Sequence, residues 1–130
     1  MQVALAKLRE GMGNCIIHGI GAPPGSSPAI PASLKMTSTP GYSPGPRDWK
    51  TPVWTCAHFS VDGPMRFQVQ WQLIKPRLEG RGIAWVDDDG DGNADRAFAF
   101  SVTMKARREP VLGEVGPIEA SHPLVSFGPP

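Results

Sequence analysis

The sequence predicts an α+β domain in which an N-terminal amphipathic helix packs on an antiparallel sheet of about four strands. Three observations lead to this prediction. Apolar residues recur at helical spacing over residues 2–18. From residue 53 onward the pattern changes to alternation, which is typical of strands with one buried face. Glycine and proline contribute 15 residues each to a chain of 130, roughly double their usual share of about 12%, so a mostly helical fold is excluded.

The overall composition indicates one folded domain without a strong electrostatic preference. A chain of 130 residues, with 40% hydrophobic residues and four tryptophans, can enclose a core. A net charge of +1 gives no general attraction to nucleic acid or to an anionic membrane. No apolar run reaches the ~20 residues that a membrane-spanning helix needs. Residues 1–22 also lack the apolar segment of a secretory signal.

The predicted helix covers residues 2–18 and carries one apolar stripe. The stripe consists of Leu5, Leu8, Met12, Cys15 and Ile16. Gly11 and Gly13 each cost about 1 kcal/mol relative to alanine inside a helix, so we expect the helix to fray, to end there or to lean on another element. Neither of its first two residues is a good N-cap, which predicts that this helix is the last part of a longer one.

Residues 19–52 are predicted to form a long loop draped over the domain. Eight prolines in this segment exclude a continuous helix and a central strand. Five apolar residues are expected to anchor the loop, namely Ile30, Leu34, Met36, Tyr42 and Trp49.

Residues 53–108 are predicted to form the antiparallel sheet. The first strand is VWTCAHFSV at 53–61, and a turn at 62–64 leads into MRFQVQWQLI at 65–74. In this second strand the inward side chains are Met65, Phe67, Val69, Trp71 and Leu73, and the outward ones are Arg66, Gln68, Gln70 and Gln72.

GIAWV at 82–86 and RAFAFSVTMKA at 96–106 are predicted to form a hairpin, with alternate residues of the second strand on one apolar face. Residues 109–130 are expected to be an irregular tail, in which LVSF at 124–127 forms a short edge strand.

This order of elements resembles the headgroup of a type IV pilin-like protein, meaning a pilin, minor pilin or pseudopilin. AKLREGMGNCIIHG is similar to the end of the long N-terminal helix of that family. WTCAHFSVDGPMRFQVQWQL resembles its aromatic-led strand and the alternating strand that follows, and GRGIAWVDDDGDGNADRAFAFSV resembles its next hairpin. The resemblance covers roughly residues 2–105 and rests on arrangement and loose patterns.

The resemblance implies a structural subunit of a type IV pilus or of a type II secretion-like filament, acting in assembly and surface interaction. Its partners would be other pilin subunits, and the inner membrane through an apolar half-helix. That half-helix and the prepilin cleavage site of the family are not among these 130 residues. The implied location is periplasmic or extracellular, on a bacterial filament. The alternative is a secreted, calcium-stabilised, β-rich binding or adhesion module.

The stretch WVDDDGDGNADR at 85–96 follows the first half of an EF-hand-type calcium loop. Asp87, Asp89 and Asp91 take positions 1, 3 and 5, Gly92 takes position 6, Asn93 takes position 7 and Asp95 takes position 9. Phe98 stands at position 12, where a bidentate glutamate is expected. Hard oxygen donors favour calcium over zinc or copper, in a structural role. The alternative is a solvated hairpin turn.

Two cysteines, Cys15 and Cys56, admit three interpretations. They form a disulfide, which would indicate an oxidising compartment, or they are two buried thiols. A zinc site with His18 and His58 is a weaker alternative, because the spacing from Cys56 to His58 is shorter than in common structural sites.

No catalytic constellation is visible, so the chain is predicted not to be an enzyme. It has no nucleophile elbow and no phosphate-binding glycine loop. A set of basic residues, Lys75, Arg77, Arg81 and Lys105–Arg108, lies near Trp71 and Trp85 in the sequence pattern. We interpret these as solvated strand ends rather than as a surface for single-stranded nucleic acid, and His122 as a surface loop residue.

Overall fold

The N-terminal helix is present and carries the predicted stripe. A computed structural model describes residues 1–121 and 123–125 of the chain. Helix α1 spans Gln2–Cys15 and continues into one π-helical turn, Ile16–Ile20. The stripe is buried along its whole length, at Leu5, Leu8, Met12, Cys15 and Ile16. Gly21, in a left-handed conformation with φ 79°, ends this helical segment.

Glycines let α1 approach its neighbours closely. The helix neither ends nor frays at Gly11, because it continues to Cys15. A β-carbon on Gly11 would press against the carbonyl oxygen of Ala57. On the sheet side, a β-carbon on Gly82 would collide with the ring of Phe100 and lie 3.1 Å from a methyl carbon of Leu8. The helix therefore leans on other elements at the positions where a side chain would hold them apart.

The sheet has five antiparallel strands, which confirms the α+β prediction. The strands are β1 Gln68–Lys75, β2 Glu79–Val86, β3 Arg96–Ala106, β4 Glu109–Leu112 and β5 Gly116–Ile118. Their order is β1-β2-β3-β4, and β5 pairs with the first part of β3 on the same edge as β4. One face of this sheet packs on α1 through Val69, Trp71, Ala84, Phe100 and Val102.

Two predictions about the edges of the sheet are wrong. Residues 53–61 do not form a strand, because Pro52–Ala57 is a short helix, α2. Pro52 occupies its first turn, where a missing N–H costs nothing, and Val53, Trp54 and Ala57 are buried at helical spacing. The supposedly irregular tail contains β4 and β5.

Two further predictions of the tail fall wholly or partly outside the described residues. Position 122, the expected surface histidine, is one of these. The expected strand at 124–127 reaches past residue 125, and residues 123–125 have no strand assignment.

The second face of the sheet is also covered, which corrects the expectation that the glutamines of β1 point into solvent. Gln68, Gln70 and Gln72 are at most 4% exposed. The Gln68 amide donates to Pro31 O at 2.9 Å, and the Gln70 amide donates to Ser27 O at 2.9 Å. The three glutamines of β1 are thus buried but hydrogen-bonded, which the alternating pattern alone does not reveal.

The Pro-rich loop lies along the free edge of β1, as the prediction of a draped loop requires. Ser27 N donates to Trp71 O at 2.9 Å, and Ile30 and Val69 exchange two backbone hydrogen bonds of 2.9 Å. Of the expected anchors, Ile30 and Leu34 are buried, whereas Met36 is 46% exposed. Because the loop contacts this edge, β1 presents little unpaired backbone for edge-to-edge association.

A disulfide joins Cys15 at the end of α1 to Cys56 in α2, with 5.2 Å between the Cα atoms. This pairing confirms the disulfide prediction and excludes both the free thiols and the zinc site, since no free cysteine is left. Disulfides form and persist in oxidising compartments such as the periplasm and the extracellular space. In the part of the chain that the structure describes, the helices are too short or too polar to cross a bilayer.

The close approach of α1 to α2 predicts opposite effects for two glycines of the same helix. Alanine adds helix propensity of about 1 kcal/mol at either position. At Gly11 the new methyl meets a backbone carbonyl, whereas at Gly13 it meets only the end of the Leu112 side chain, at 2.9 Å. We expect Gly11→Ala to lower the free energy of unfolding by about 1–3 kcal/mol, and Gly13→Ala to be close to neutral. Equilibrium urea unfolding measures both, and equal values for the two variants would contradict this packing.

Candidate metal centre

The aspartate-rich stretch is the tip of the hairpin between β2 and β3. Val86 and Arg96 form the last strand pair, and Asp95 N donates to Val86 O at 2.8 Å. Between them the chain turns at Gly90 and Gly92, which have φ angles of 76° and 87°. These left-handed conformations favour glycine, so Gly92 takes the sharp-turn role expected at position 6 of the calcium loop.

Backbone N–H groups of the loop point at its own carboxylates. Asp87 accepts hydrogen bonds from Gly90 N at 2.9 Å and from Gly92 N at 2.7 Å. Asp95 accepts from Asp88 N at 2.7 Å and from Asp89 N at 3.2 Å. These bonds hold two carboxylates toward the inside of the loop, and the loop is therefore folded around negative charge.

Three of the predicted ligands meet in space. Among the described residues, Asp87, Asp89 and Asp95 each offer a carboxylate oxygen, and these oxygens lie within 4.8 Å of one another. Such a cluster could hold a metal ion. Asp91 lies outside this group and accepts a hydrogen bond from Asn93 N at 2.8 Å.

Position 12 of the calcium-loop pattern supplies no ligand. Phe98 belongs to β3 and packs against the core beneath α1. Its aromatic ring has no donor for a metal, so the loop lacks the bidentate carboxylate of a full EF-hand. Any ion held here would complete its shell with backbone oxygens or water.

An ion pair that sequence reasoning missed closes the base of the loop. Arg96 contacts Asp88 through two hydrogen bonds, of 2.9 and 3.0 Å, in a bidentate arrangement. The guanidinium holds the pKa of the Asp88 carboxyl below its ordinary value. Asp88 thus acts on the hairpin and not on the carboxylate cluster. The sequence signal for this pair was an arginine at the first residue of β3 and an aspartate two residues after the end of β2.

The pKa values of Asp87 and Asp89, two carboxyls of the cluster, shift in opposite directions. Desolvation raises the pKa of Asp87, but hydrogen bonds from Gly92, Gly90 and Asp91 N and from the Asp89 side chain outweigh it, so the pKa is lowered. The hydrogen bond from Asp91 N lowers the pKa of Asp89, but its contacts with the carboxylates of Asp87 and Asp91 raise it more. Repulsion among the carboxylates of the cluster therefore raises mainly the pKa of Asp89.

The two alternatives weighed from the sequence, a base-stacking surface and a zinc site, are not formed. Trp71 and Trp85 are 0% and 3% exposed, so neither ring is available for stacking on a base. His18 and His58 lose the zinc interpretation because both cysteines are in the disulfide.

The opposite pKa shifts lead to a titration prediction. With chelator present, Asp87 should titrate below the ordinary aspartate pKa and Asp89 above it. The Asp87 contribution to stability should be complete at neutral pH and lost as the pH falls through its lowered pKa. The Asp89 contribution has the opposite sign, because stability should fall as the pH rises through its raised pKa. Carboxyl ¹³C titration by NMR measures the order, and a reversed order would contradict it.

Comparison with known proteins assigns no family to the chain. A scan against protein-family models and searches of curated proteins and of solved structures find no match. The proposals below are supported by the fold, the disulfide and the acidic cluster.

Proposed function

We propose that this chain is the globular head of a subunit of a type IV pilin-like filament, such as a pilus or a type II secretion-like filament. Its role is in filament assembly and surface interaction. The observation that carries the proposal is the position of α1, which lies along the sheet and buries one stripe against it. A long loop then separates this helix from an antiparallel meander, the order of elements on which the resemblance to pilin-like heads rests.

The side of α1 that faces away from the sheet is available for contact with a neighbouring subunit. The first turn of α1 lies at the same end of the sheet as the aspartate loop, since Met1 and Gln2 line one cavity with Val86 and Arg96. Val3, in that turn, is 70% exposed. The disulfide supports a location outside the cytoplasm, where such filaments are exposed.

The filament proposal predicts where the chain is found in its source cell. The reading frame upstream should encode an apolar segment of ~20 residues, continuous with α1 and preceded by a basic leader. Antibody against the chain should detect it in sheared surface filaments or, for a secretion filament, in an inner-membrane fraction. A cleavable secretory signal directly before α1, together with free protein in the medium, would contradict the proposal and favour the secreted binding module.

We further propose that the carboxylate cluster binds calcium and that this ion is structural. Three hard oxygen donors in a loop with a left-handed glycine suit calcium better than a metal that prefers nitrogen or sulfur. The ion would neutralise carboxylates that otherwise repel one another and would fix the register of the β2–β3 hairpin. Because position 12 supplies no carboxylate, binding should be weak, with a dissociation constant of about 10⁻⁴–10⁻³ M, as in extracellular calcium modules.

The calcium proposal predicts a stability difference between calcium and chelator. At a calcium concentration of 10–100 times a weak dissociation constant, the folded state should gain about 1–3 kcal/mol, seen as a higher midpoint of thermal unfolding. Asp89→Asn should abolish the calcium effect. Asp62→Asn, at an exposed aspartate outside the loop, is the matched control and should keep it. An unchanged midpoint in saturating calcium would exclude the site.

A further inference from the structure

The two ends of the sheet carry opposite charge. The hairpin tip between β2 and β3 contains five aspartates from Asp87 to Asp95. At the other end, two turns lie side by side, because Met104 N donates to Leu78 O at 2.9 Å. We call the surface formed by residues 75–79 and 105–109 the basic end. It contains five Lys or Arg residues and two glutamates.

The basic end borders a cavity that is lined by both apolar and basic side chains. A cavity of about 530 Å³ lies between the last turn of the N-terminal helical segment and the two strand turns. Ile20, Leu78 and Met104 line it together with the cations Arg77, Lys105 and Arg107. The described residues contribute no carboxylate within 4.0 Å of these three cations, so their charge is directed to solvent or to a partner.

Arginine occupies strained positions at this end. Arg77 and Arg108 have φ angles of 65° and 62°, in a region where glycine or asparagine is favoured. Arg108 also donates to Gly19 O at 3.0 Å and ties its turn to the end of the helical segment. Arginine thus stands at two turn positions whose geometry favours glycine or asparagine. Strain of this kind concentrates at functional sites.

Exposed apolar side chains are concentrated at the same two ends. The large exposed ones among the described residues are Val3, Ile17, Ile20, Met36, Ile74, Leu78, Val111 and Leu124. Leu78 belongs to the basic end, and three others lie next to it: Ile20 in the cavity, Ile17, whose carbonyl accepts a hydrogen bond from Arg108, and Ile74, which precedes Lys75. Two others lie beside the aspartate loop: Met36 next to Lys35, whose chain lies against Gly92, and Leu124 in a cavity with Gly92. Val3 lies in the first turn of α1, at the same end of the sheet.

We propose that the basic end of one copy of this chain binds the aspartate-loop end of a second copy. The two ends carry opposite charge, and both expose apolar side chains that a contact between them would bury. Because the ends lie at opposite limits of the same strands, the contact is heterologous and continues from copy to copy instead of closing into a twofold dimer. Bound calcium would reduce the charge of the loop and leave it negative.

The inference rests on the proposed function, because it specifies how successive subunits of a filament meet. Since α1 runs from the acidic end to the basic end, subunits stacked in one direction along their helices bring unlike ends together. Electrostatic contacts of this kind determine partner choice and direction more than total affinity. The isolated chain should therefore associate weakly, with a strong dependence on salt.

The test is the mass of the purified chain in solution, measured by sedimentation over a series of protein concentrations. The wild-type chain should form dimers and longer species at low salt and lose them at high salt. Lys105→Gln/Arg107→Gln should weaken association about tenfold, and Asp91→Lys, which changes the charge of the other end by the same amount, should do the same. Lys7→Gln/Lys50→Gln makes an equal change of charge at exposed sites outside both ends and should leave association unchanged.

Mixing the two end variants distinguishes a head-to-tail contact from a twofold dimer. Each variant keeps one intact end, so the mixture should form pairs as readily as the wild-type chain and stop there, whereas each variant alone associates about tenfold more weakly. A wild-type chain that is monomeric at all concentrations would overturn the inference, as would end variants that associate like wild type. Binding of the monomer to phosphatidylglycerol vesicles through Lys105 and Arg107 would assign the basic end to a membrane and would also overturn it.

Failure of the inference and failure of the proposed function are separable. If the chain is found in filaments but the end variants assemble normally, the contact is wrong and the function stands. If the purified chain associates through its two ends but is absent from filaments, the contact stands and the function is wrong.

Discussion

The fold depends on how closely α1 approaches the elements around it. Its buried stripe fits the sheet because Gly82 leaves room for Leu8 and Phe100, and it fits α2 because Gly11 leaves room for the Ala57 carbonyl. Hydrophobic burial needs this short separation, since an apolar gap too small for water loses its contacts outright. The disulfide then fixes the end of α1 to α2. With α1 covering one face of the sheet, the Pro-rich loop covers the second face, and the hairpin tip extends from the same strands.

Sequence periodicity predicted the stripe of α1 and the apolar face of the sheet that packs on it. A strand at 65–74 and a hairpin of strands at 82–86 and 96–106 follow from spacing alone, and the structure places these strands at 68–75, 79–86 and 96–106. Periodicity did not reveal that the second face of the sheet is also covered, and it failed where a helix is short. The alternation at 53–61 suggested a strand, but a six-residue helix buries Val53, Trp54 and Ala57 instead. The glutamines of β1 look solvent-exposed in a pattern, and only the loop carbonyls that accept their hydrogen bonds explain their burial.

The acidic loop was predicted in type and only partly in membership. Asp87, Asp89 and Asp95 meet, as their positions in the loop pattern suggest. Asp91 does not join them, and Asp88, absent from the pattern, pairs with Arg96. A one-dimensional pattern gives the spacing of donors along the chain, but hydrogen bonds within the loop decide which carboxylates turn inward. The basic end was visible only as scattered cations, because the two turns that form it are brought together by the sheet.

The disulfide between α1 and α2 also has a mechanical consequence. If the chain is the filament subunit proposed above, tension along the filament enters through α1 and passes at Cys15 directly into Cys56. The residues between the two cysteines lie outside that path. If the bond were absent, only non-covalent packing would hold α1, and once that packing gave way this segment could extend by about 3.5 Å per residue. With the bond in place the tension reaches α2 and the sheet at once, and the Pro-rich loop stays on the edge of β1 whatever the pull on the helix.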